Sequence, residues 1–383
     1  MEREQPSRLI YLNNAASAWP KAPGVVEAVA ACLALPPAHP GRRSALTADV
    51  VTECRQRLAQ LLGVPSPERI AFTPNATHAL NLAVLGLGLK RGEHVITSIT
   101  EHNSVLRPLA HLADRVGVRV TVVGLDEHGD LDAEGFGQAL QESPRLVVLN
   151  HASNVTGRMN AVGPFFHQAK AAGAVTLLDA SQSLGHCPVN APEVGADMVA
   201  FTGHKGLRGP AGAGGLYVAE HLELEQVLVG GTGVRSDLRW HPTEMPTRLE
   251  AGTLNVPALA GLNTALRWLA TDGPAFDAQE KQIAEALRRG LRELAGVQLF
   301  ADAPGMERLS PVSFRVNGWD VEETGYVLEQ SYGIVCRTGL HCAPLIHQAI
   351  GSAPAGTVRF SPSGATIEAE IAQALDAVRR LVT

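Results

Sequence analysis

The chain has 383 residues, 45% of them apolar, and a net charge near −6. That length allows one large α/β domain with a smaller one attached, and the apolar share is enough for real cores. The charge balance shows no basic stripe for nucleic acid, and no apolar run approaches the roughly 20 residues needed to span a bilayer. The polar start MEREQPSRLIYLNNAA lacks the apolar stretch of a secretory signal, so a cytoplasmic protein with neither nucleic-acid nor membrane partner is expected. The longest apolar runs, Val26–Leu35 and Leu80–Leu89, read as buried helices.

Short β-rich runs alternate with helical patterns through the first two-thirds of the chain. Strands are expected at Arg69–Phe72, His94–Ser98, Arg119–Val123, Leu146–Asn150, Val175–Asp179, Met198–Phe201 and Gly215–Val218. Helices are expected between them at Ala76–Leu87, Ser104–Arg115, Ala133–Glu142 and Phe165–Ala172. Strands that are apolar throughout need burial on both faces, which predicts a mostly parallel sheet covered by helices. After about Asn255 the pattern becomes α+β. Helices near Pro257–Ala270 and Ala275–Leu294 lead to strands near Gly296–Phe300 and Pro311–Val316. A helix at Val321–Tyr332, strand-like Gly333–Arg337 and Thr357–Ser361, and a last helix at Ile367–Leu381 complete a second domain of about 120 residues.

Five cysteines, Cys32, Cys54, Cys187, Cys336 and Cys342, are odd in number and irregular in spacing. Neither a disulfide framework nor a metal site is expected from them.

In open α/β sheets, ligands bind beyond the carboxyl ends of the strands, and five segments carry polar residues to such ends. TPNATHAL (Thr73–Leu80) opens a helix near Ala76, where free N–H groups favour an anion and the Thr77 hydroxyl adds a donor. TEHNSVL (Thr100–Leu106) offers His102, a ring that can stack on another ring. NHASNVTG (Asn150–Gly157) offers Asn154 as a hydrogen-bond donor. LLDASQSLGH (Leu177–His186) ends a buried strand on Asp179, a charge that needs a cationic partner, with Gln182 on the same side. FTGHKGLRGPAGAGG (Phe201–Gly215) holds Lys205, one of only five lysines, next to Thr202 and His204. Singly, each also reads as an ordinary cap, loop or strand end. Together they describe a site for pyridoxal 5′-phosphate (PLP): Asp179 would keep the pyridine nitrogen positive, so that the ring is an electron sink. Burial would lower the Lys205 pKa so that its amine can bond the cofactor aldehyde. A nucleotide P-loop is ruled out, because no GxxxxGK[ST] occurs.

With these residues the chain resembles the class V aminotransferase family of fold-type I PLP enzymes. Within it, the likeness is greatest to the SufS-like cysteine desulfurases and selenocysteine lyases, through YLNNAA, TEHNS, SNVTG, DASQ, TGHKGLRGP and RTGLHCAP. The resemblance implies a large PLP-binding domain at 16–255 and a small α+β domain made of 1–15 and 256–383. It assigns Lys205 to the cofactor aldehyde, Asp179 to the pyridine nitrogen and His102 to the ring face. Asn154 and Gln182 would address the phenolic oxygen, and Ala76, Thr77, Thr202 and His204 the phosphate. GGTGVRSD (Gly230–Asp237) resembles a stretch that enters a neighbouring subunit, where Thr232 would touch the partner's phosphate, implying a homodimer with shared active sites. Arg359 would clamp the substrate carboxylate, aided by Arg337 and Asn14.

The reaction turns on Cys342, in CRTGLHCAP. The resemblance implies a thiolate that attacks the sulfur of L-cysteine or a similar small amino acid. It would become a persulfide, release alanine, and pass sulfur to a thiol or an acceptor protein. His341, Arg337 and His102 are the groups expected to favour that thiolate or move protons, while Cys336 reads as packing. The alternatives are another class V aminotransferase, a selenocysteine or C–S lyase, and, remotely, a non-catalytic sulfur-carrier binding protein. One departure stands out: Gly364, Ala365 and Thr366 occupy positions where related enzymes commonly carry an aromatic residue and an Asn–Thr pair.

Overall fold

The computed structural model describes residues 9–36, 48–303 and 305–382. The chain enters through strand β1 (Ile10–Tyr11) and helices α1 (Val25–Ala34) and α2 (Ala48–Leu61). Next come β2 (Ile70–Thr73), α3 (Ala76–Gly86), β3 (His94–Ser98), α4 (Asn103–Val116), β4 (Arg119–Val123), α5 (Ala133–Leu140) and β5 (Leu146–Asn150). Then follow α6 (Val162–Ala171), β6 (Val175–Asp179), α7 (Ala191–Val194), β7 (Met198–Thr202) and β8 (Gly214–Val218). Seven of these strands form one sheet in the order β2-β8-β7-β6-β5-β3-β4. Pairing is parallel from β7 to β4, while β8 runs antiparallel to both β7 and β2.

Every residue of β5, β6 and β7 is buried. Their unbroken apolar character follows from cover on both faces, the condition under which strands lose alternation. One face packs on a core containing Phe136, Phe166 and Leu178, the other on a core containing Leu80, Leu109 and Leu177. Helix α4 supplies the second core from Val105, Leu109 and Leu112, spaced to lie along one face.

Helix α8 (Val256–Thr271) joins the first of these cores through Leu259, Leu262 and Leu266. Beyond it come α9 (Gly273–Arg292), β9 (Val297–Leu299), β10 (Val312–Val316), α10 (Val321–Tyr332) and β11 (Ile334–Val335). Helix α11 (Pro344–Ala349), β12 (Val358–Phe360) and α12 (Glu368–Val382) end the chain. Strands β12-β10-β9 form an antiparallel sheet, and β1 pairs in parallel with β11, which brings the two ends of the chain into one core with Phe314, Phe360 and Leu287.

The seven strands of the large sheet and helices α3 to α6 fall within a few residues of the positions expected from the sequence, while the short α7 was not expected. The run at Val26–Leu35 does not behave as expected. Helix α1 forms, but only Val25 among its residues is buried, and Val26 and Leu33 are 67% and 68% exposed. Apolar composition reports that a segment can be covered, and here the chain itself covers only one edge of it. No helix among the described residues is long and apolar enough to cross a membrane.

One close approach shapes the site. Gly185, with φ of +100°, lies against the backbone of Gly206, and a Cβ on Gly206 would sit 2.6 Å from the Leu184 carbonyl oxygen. Only glycines let the turn after β6, which carries Asp179 and Gln182, press against the turn that carries Lys205.

Candidate active site

The carboxyl ends of β5, β6 and β7 meet the amino end of α3 around a cavity of ≈ 220 Å³. Ligands of open α/β sheets lie at such a place. The cavity is lined by the predicted residues Ala76, Thr77, His102, Asn154, Asp179 and Gln182. Thr202, His204, Lys205, Arg337 and Arg359 join them from β7, the turn after it and the small domain.

One end suits an anion. Asn75 caps α3 by accepting from the His78 N–H, and the free first-turn amides of Ala76 and Thr77 add the positive end of the helix dipole. The Thr202 hydroxyl oxygen is buried and has no partner among the described residues. Ser104, which sequence reasoning missed, joins this end to the ring of His102. Its Oγ lies 2.8 Å from Thr77 Oγ1 and 2.8 Å from His102 Nδ1. His102 is the N-cap of α4, and its Nδ1 also accepts from the Ser104 N–H. The signal was present in TEHNS, where a residue two places after a cap is the usual partner of that cap. Burial, then the charge of Lys205, lowers the His102 pKa to about 4, so the ring is neutral at pH 7. Burial and the neighbouring lysines hold His204 at about 4 as well.

At the other end Asp179 closes β6, between Asn150 and Ala200 on the flanking strands. Its Oδ1 accepts from the Ser181 N–H and hydroxyl. Lys205 is half-buried, and desolvation lowers its pKa to about 8, with Asp179 opposing the shift and Arg359 and Arg337 adding to it. An amine with that pKa is substantially neutral near pH 8 and is able to act as a nucleophile or base. Beneath these groups Glu101 is fully buried, accepting from the Ser98 hydroxyl at 2.6 Å and the Asn150 N–H at 2.8 Å. Burial raises its pKa to about 8.

Arg359 is fully buried. Its Nη1 donates to the Asn154 carbonyl at 2.8 Å and its Nη2 to Asn13 Oδ1 at 3.0 Å. Nε has no partner among the described residues. Burial, then Arg337, lowers the Arg359 pKa to about 9. Arg337 stands beside it through a backbone bridge, and its Nη2 donates to Cys342 Sγ at 3.2 Å. Cys342 does not itself line the cavity that holds Lys205; Arg337, which does, links the thiol to it.

Two expected residues, Asn14 and His341, stand elsewhere, while Thr232 and Cys336 lie where their expected roles put them, away from this chain's own cavity. Asn14 spends its side chain on structure: Nδ2 donates to the Ser361 carbonyl and Oδ1 accepts from the Trp19 N–H. Its neighbours Ala15 and Ala16 line the cavity instead. His341 bonds Thr357 Oγ1 at 2.9 Å, and burial, then Arg359, drives its pKa to about 2. A neutral ring so engaged brings no charge to the thiol. Thr232 lies on a loop whose neighbours are largely exposed and does not line the cavity of its own chain. Cys336 packs in the small core, and burial pushes its pKa up to about 12.

The departure at Gly364 also has a cause. A Cβ there would come within 2.6 Å of the Phe276 ring, which in turn packs edge-on to Trp268.

An α/β sheet with a half-buried lysine lining a cavity, a strand-end aspartate and an anion cradle at its carboxyl edge defines a PLP enzyme of fold type I. Two observations fit the cofactor: an unpartnered buried hydroxyl beside a free helix N-terminus suits a phosphate, and a buried carboxylate opposite a low-pKa lysine suits a protonated ring nitrogen and an aldehyde. The aminotransferase class-V family profile matches residues 10–373, and the chain belongs to that family. It is 33% identical over 315 residues to a probable cysteine desulfurase of Methanothermobacter thermautotrophicus, covering 81% of this chain and 78% of that one. It is also 33% identical over 309 residues to a cysteine desulfurase of Pectobacterium atrosepticum, covering 78% and 75%. Among solved structures, the apo cysteine desulfurase of Thermococcus onnurineus superposes with a TM-score of 0.89 at 32% identity, covering 98% of this chain and 94% of that one. The cysteine desulfurase CsdA of Escherichia coli gives a TM-score of 0.87 at 28% identity over the same shares.

Proposed function

We propose that this chain is a PLP-dependent cysteine desulfurase that converts L-cysteine to L-alanine and keeps the sulfur as a persulfide on Cys342. The observation that carries this reading is the Cys342 thiol, held 3.2 Å from an arginine that lines the Lys205 cavity. Transamination needs no such thiol.

PLP supplies an electron sink at the α-carbon. In this reading Ala76, Thr77, Thr202 and His204 hold its phosphate, His102 covers the ring, Asp179 pairs with the ring nitrogen, and Asn154 and Gln182 reach the phenolic oxygen. Lys205 would hold the cofactor through its aldehyde, and its amine would move the substrate α-proton. Arg359, through Nε and the second hydrogens of its Nη groups, takes the substrate carboxylate with Arg337. The Cys342 thiolate would attack the substrate sulfur: an S–S bond forms, the C–S bond breaks, the β-carbon gains a proton, and the α-carbon regains the one that Lys205 removed, which completes alanine. Sulfur leaves to a thiol or an acceptor protein.

We further propose a homodimer with shared active sites, Thr232 reaching the partner's phosphate. The exposed apolar residues Val229 and Trp240 flanking this loop support it. We also propose a large domain and a small one, with α8 moved from the small domain expected at 256–383 to the large, a reading its packing on the large-sheet core supports. A cytoplasmic setting accords with five unpaired cysteines.

The test is to incubate PLP-loaded protein with L-cysteine and a reducing thiol, and to quantify alanine, sulfide and pyruvate beside Cys342→Ala. Equal alanine and sulfide, lost in the variant while its yellow colour stays, is the expected result. Alanine formation that survives loss of Cys342 overturns the mechanism, and pyruvate in its place indicates β-elimination.

A further inference from the structure

Resting on that reading, we propose that the backbone N–H of Asn103 is a positioning group for the Cys342 nucleophile. The loop that carries the thiol is bent in an unusual way. His341 and Cys342 both have left-handed backbone, with φ of +49° and +59°, and neither is glycine. Two successive residues of this kind persist only where the surroundings hold them.

Both carbonyls of the bend are held from the cofactor side. The Asn103 N–H donates to the Cys342 carbonyl at 2.7 Å. Asn154 Nδ2 donates to the His341 carbonyl at 2.7 Å. Just beyond, Ala343 and Ile346 pack on Val155, so the turn after β5 also seats the start of α11. The thiol comes from the small domain, but its position is set by the same two segments that place His102 and Asn154 at the cofactor.

Asn103 is the first residue of α4, and the amides of a first turn have no carbonyl within their own helix to bond. The hydrogen bond to Cys342 therefore gives that amide its partner. This makes a clean perturbation available. Proline is well tolerated at the first helical position. The preceding residue, His102, already has φ of −75° and ψ of 156°, the extended conformation that a following proline requires. Asn103→Pro thus deletes one hydrogen bond to the loop and leaves the helix and His102 in place. Asn103→Ala, which keeps the N–H, is the control.

The holoenzymes are compared by hydrogen–deuterium exchange of the peptide 337–345 and by steady-state kinetics with L-cysteine. Relative to Asn103→Ala, Asn103→Pro is expected to exchange faster in that peptide. Its kcat is expected to fall roughly 3- to 10-fold, the range one net hydrogen bond is worth, with KM and cofactor absorbance unchanged. Faster exchange without loss of kcat, or loss of kcat without faster exchange, overturns the proposal. If Asn103→Pro does not fold, the wild-type holoenzyme decides: the Asn103 amide must exchange slowly, and free exchange at that amide overturns the proposal. The exchange measurements need no turnover, so they stand even if the desulfurase reading fails.

Discussion

Glu280→Gln isolates the charge that holds the Lys205 turn in place. Arg208 follows Lys205 by three residues, has left-handed backbone with φ of +55°, and is 2% exposed. Its N–H closes the turn on the Lys205 carbonyl at 2.8 Å. Its guanidinium lies over the Phe276 ring and donates from Nη2 to Glu280 Oε2 at 2.9 Å. Glutamine keeps the shape of Glu280 and removes the negative charge that bonds the buried guanidinium directly, leaving only the more distant Asp277 to offset it. Breaking a buried pair in this way costs about 3–5 kcal/mol. For a chain of this length that is a melting temperature lower by roughly 4–6 °C. The same reasoning requires the double variant Arg208→Met/Glu280→Leu to recover most of the loss, because no charge is then buried without a partner. Thermal unfolding of the three holoproteins, followed by circular dichroism, tests both parts. A single variant that melts with the wild type, or a double variant as unstable as the single, refutes the reasoning.

Three further outcomes are expected. The rate at which cofactor-free protein takes up PLP should rise with pH through about 8, where the Lys205 amine becomes neutral; a midpoint near the ordinary lysine range, read by absorbance, contradicts this, and Asp179→Asn should move the midpoint lower. Glu101 has its folded pKa raised to about 8, so it contributes stability below its ordinary pKa that is lost as pH rises through 8; Glu101→Gln should therefore unfold like wild type near pH 4 and be more stable than wild type above pH 8 in denaturant titrations. Gly364→Phe should destabilise the fold by about 2 kcal/mol or more through overpacking, since a Cβ there would press on the Phe276 carbonyl oxygen and lie 2.6 Å from its ring; the double variant with Phe276→Ala, which removes only the ring, should recover the ring's part in thermal unfolding, and no recovery would show that the ring plays none.

The central sheet was legible because parallel strands under two layers of helices must be apolar end to end, and runs such as Leu146–Asn150 and Val175–Asp179 leave little choice. The polar residues that interrupt those runs at their carboxyl ends, Asp179 and Thr202, marked the site for the same reason. What composition could not convey was how the arms of each side chain are spent. Asn13 and Asn14 are identical in type and adjacent, yet Asn13 receives Arg359 while Asn14 ties down Ser361 and Trp19. His341 adjoins the nucleophile in sequence, but the left-handed bend sends its ring to Thr357. Ser104 was hidden because its work, bridging Thr77 and His102, joins segments a strand apart.

The same geometry explains why the two halves of the chemistry need not be built on one domain. Lys205 and Asp179 rest on the large sheet, Cys342 and both arginines on segments of the small one. Three polar links cross between them within the site: Arg359 to the Asn154 carbonyl, Asn154 to the His341 carbonyl, and Asn103 to the Cys342 carbonyl. Asn154 takes part in two of the three, giving its side chain to the thiol loop and its carbonyl to the arginine. A displacement of the turn after β5 therefore moves the Cys342 thiol and the Arg359 guanidinium together, which preserves their spacing while changing their distance from Lys205. Substitutions in that turn should thus lower turnover without loosening the grip on substrate, whereas substitutions at Arg359 should do both.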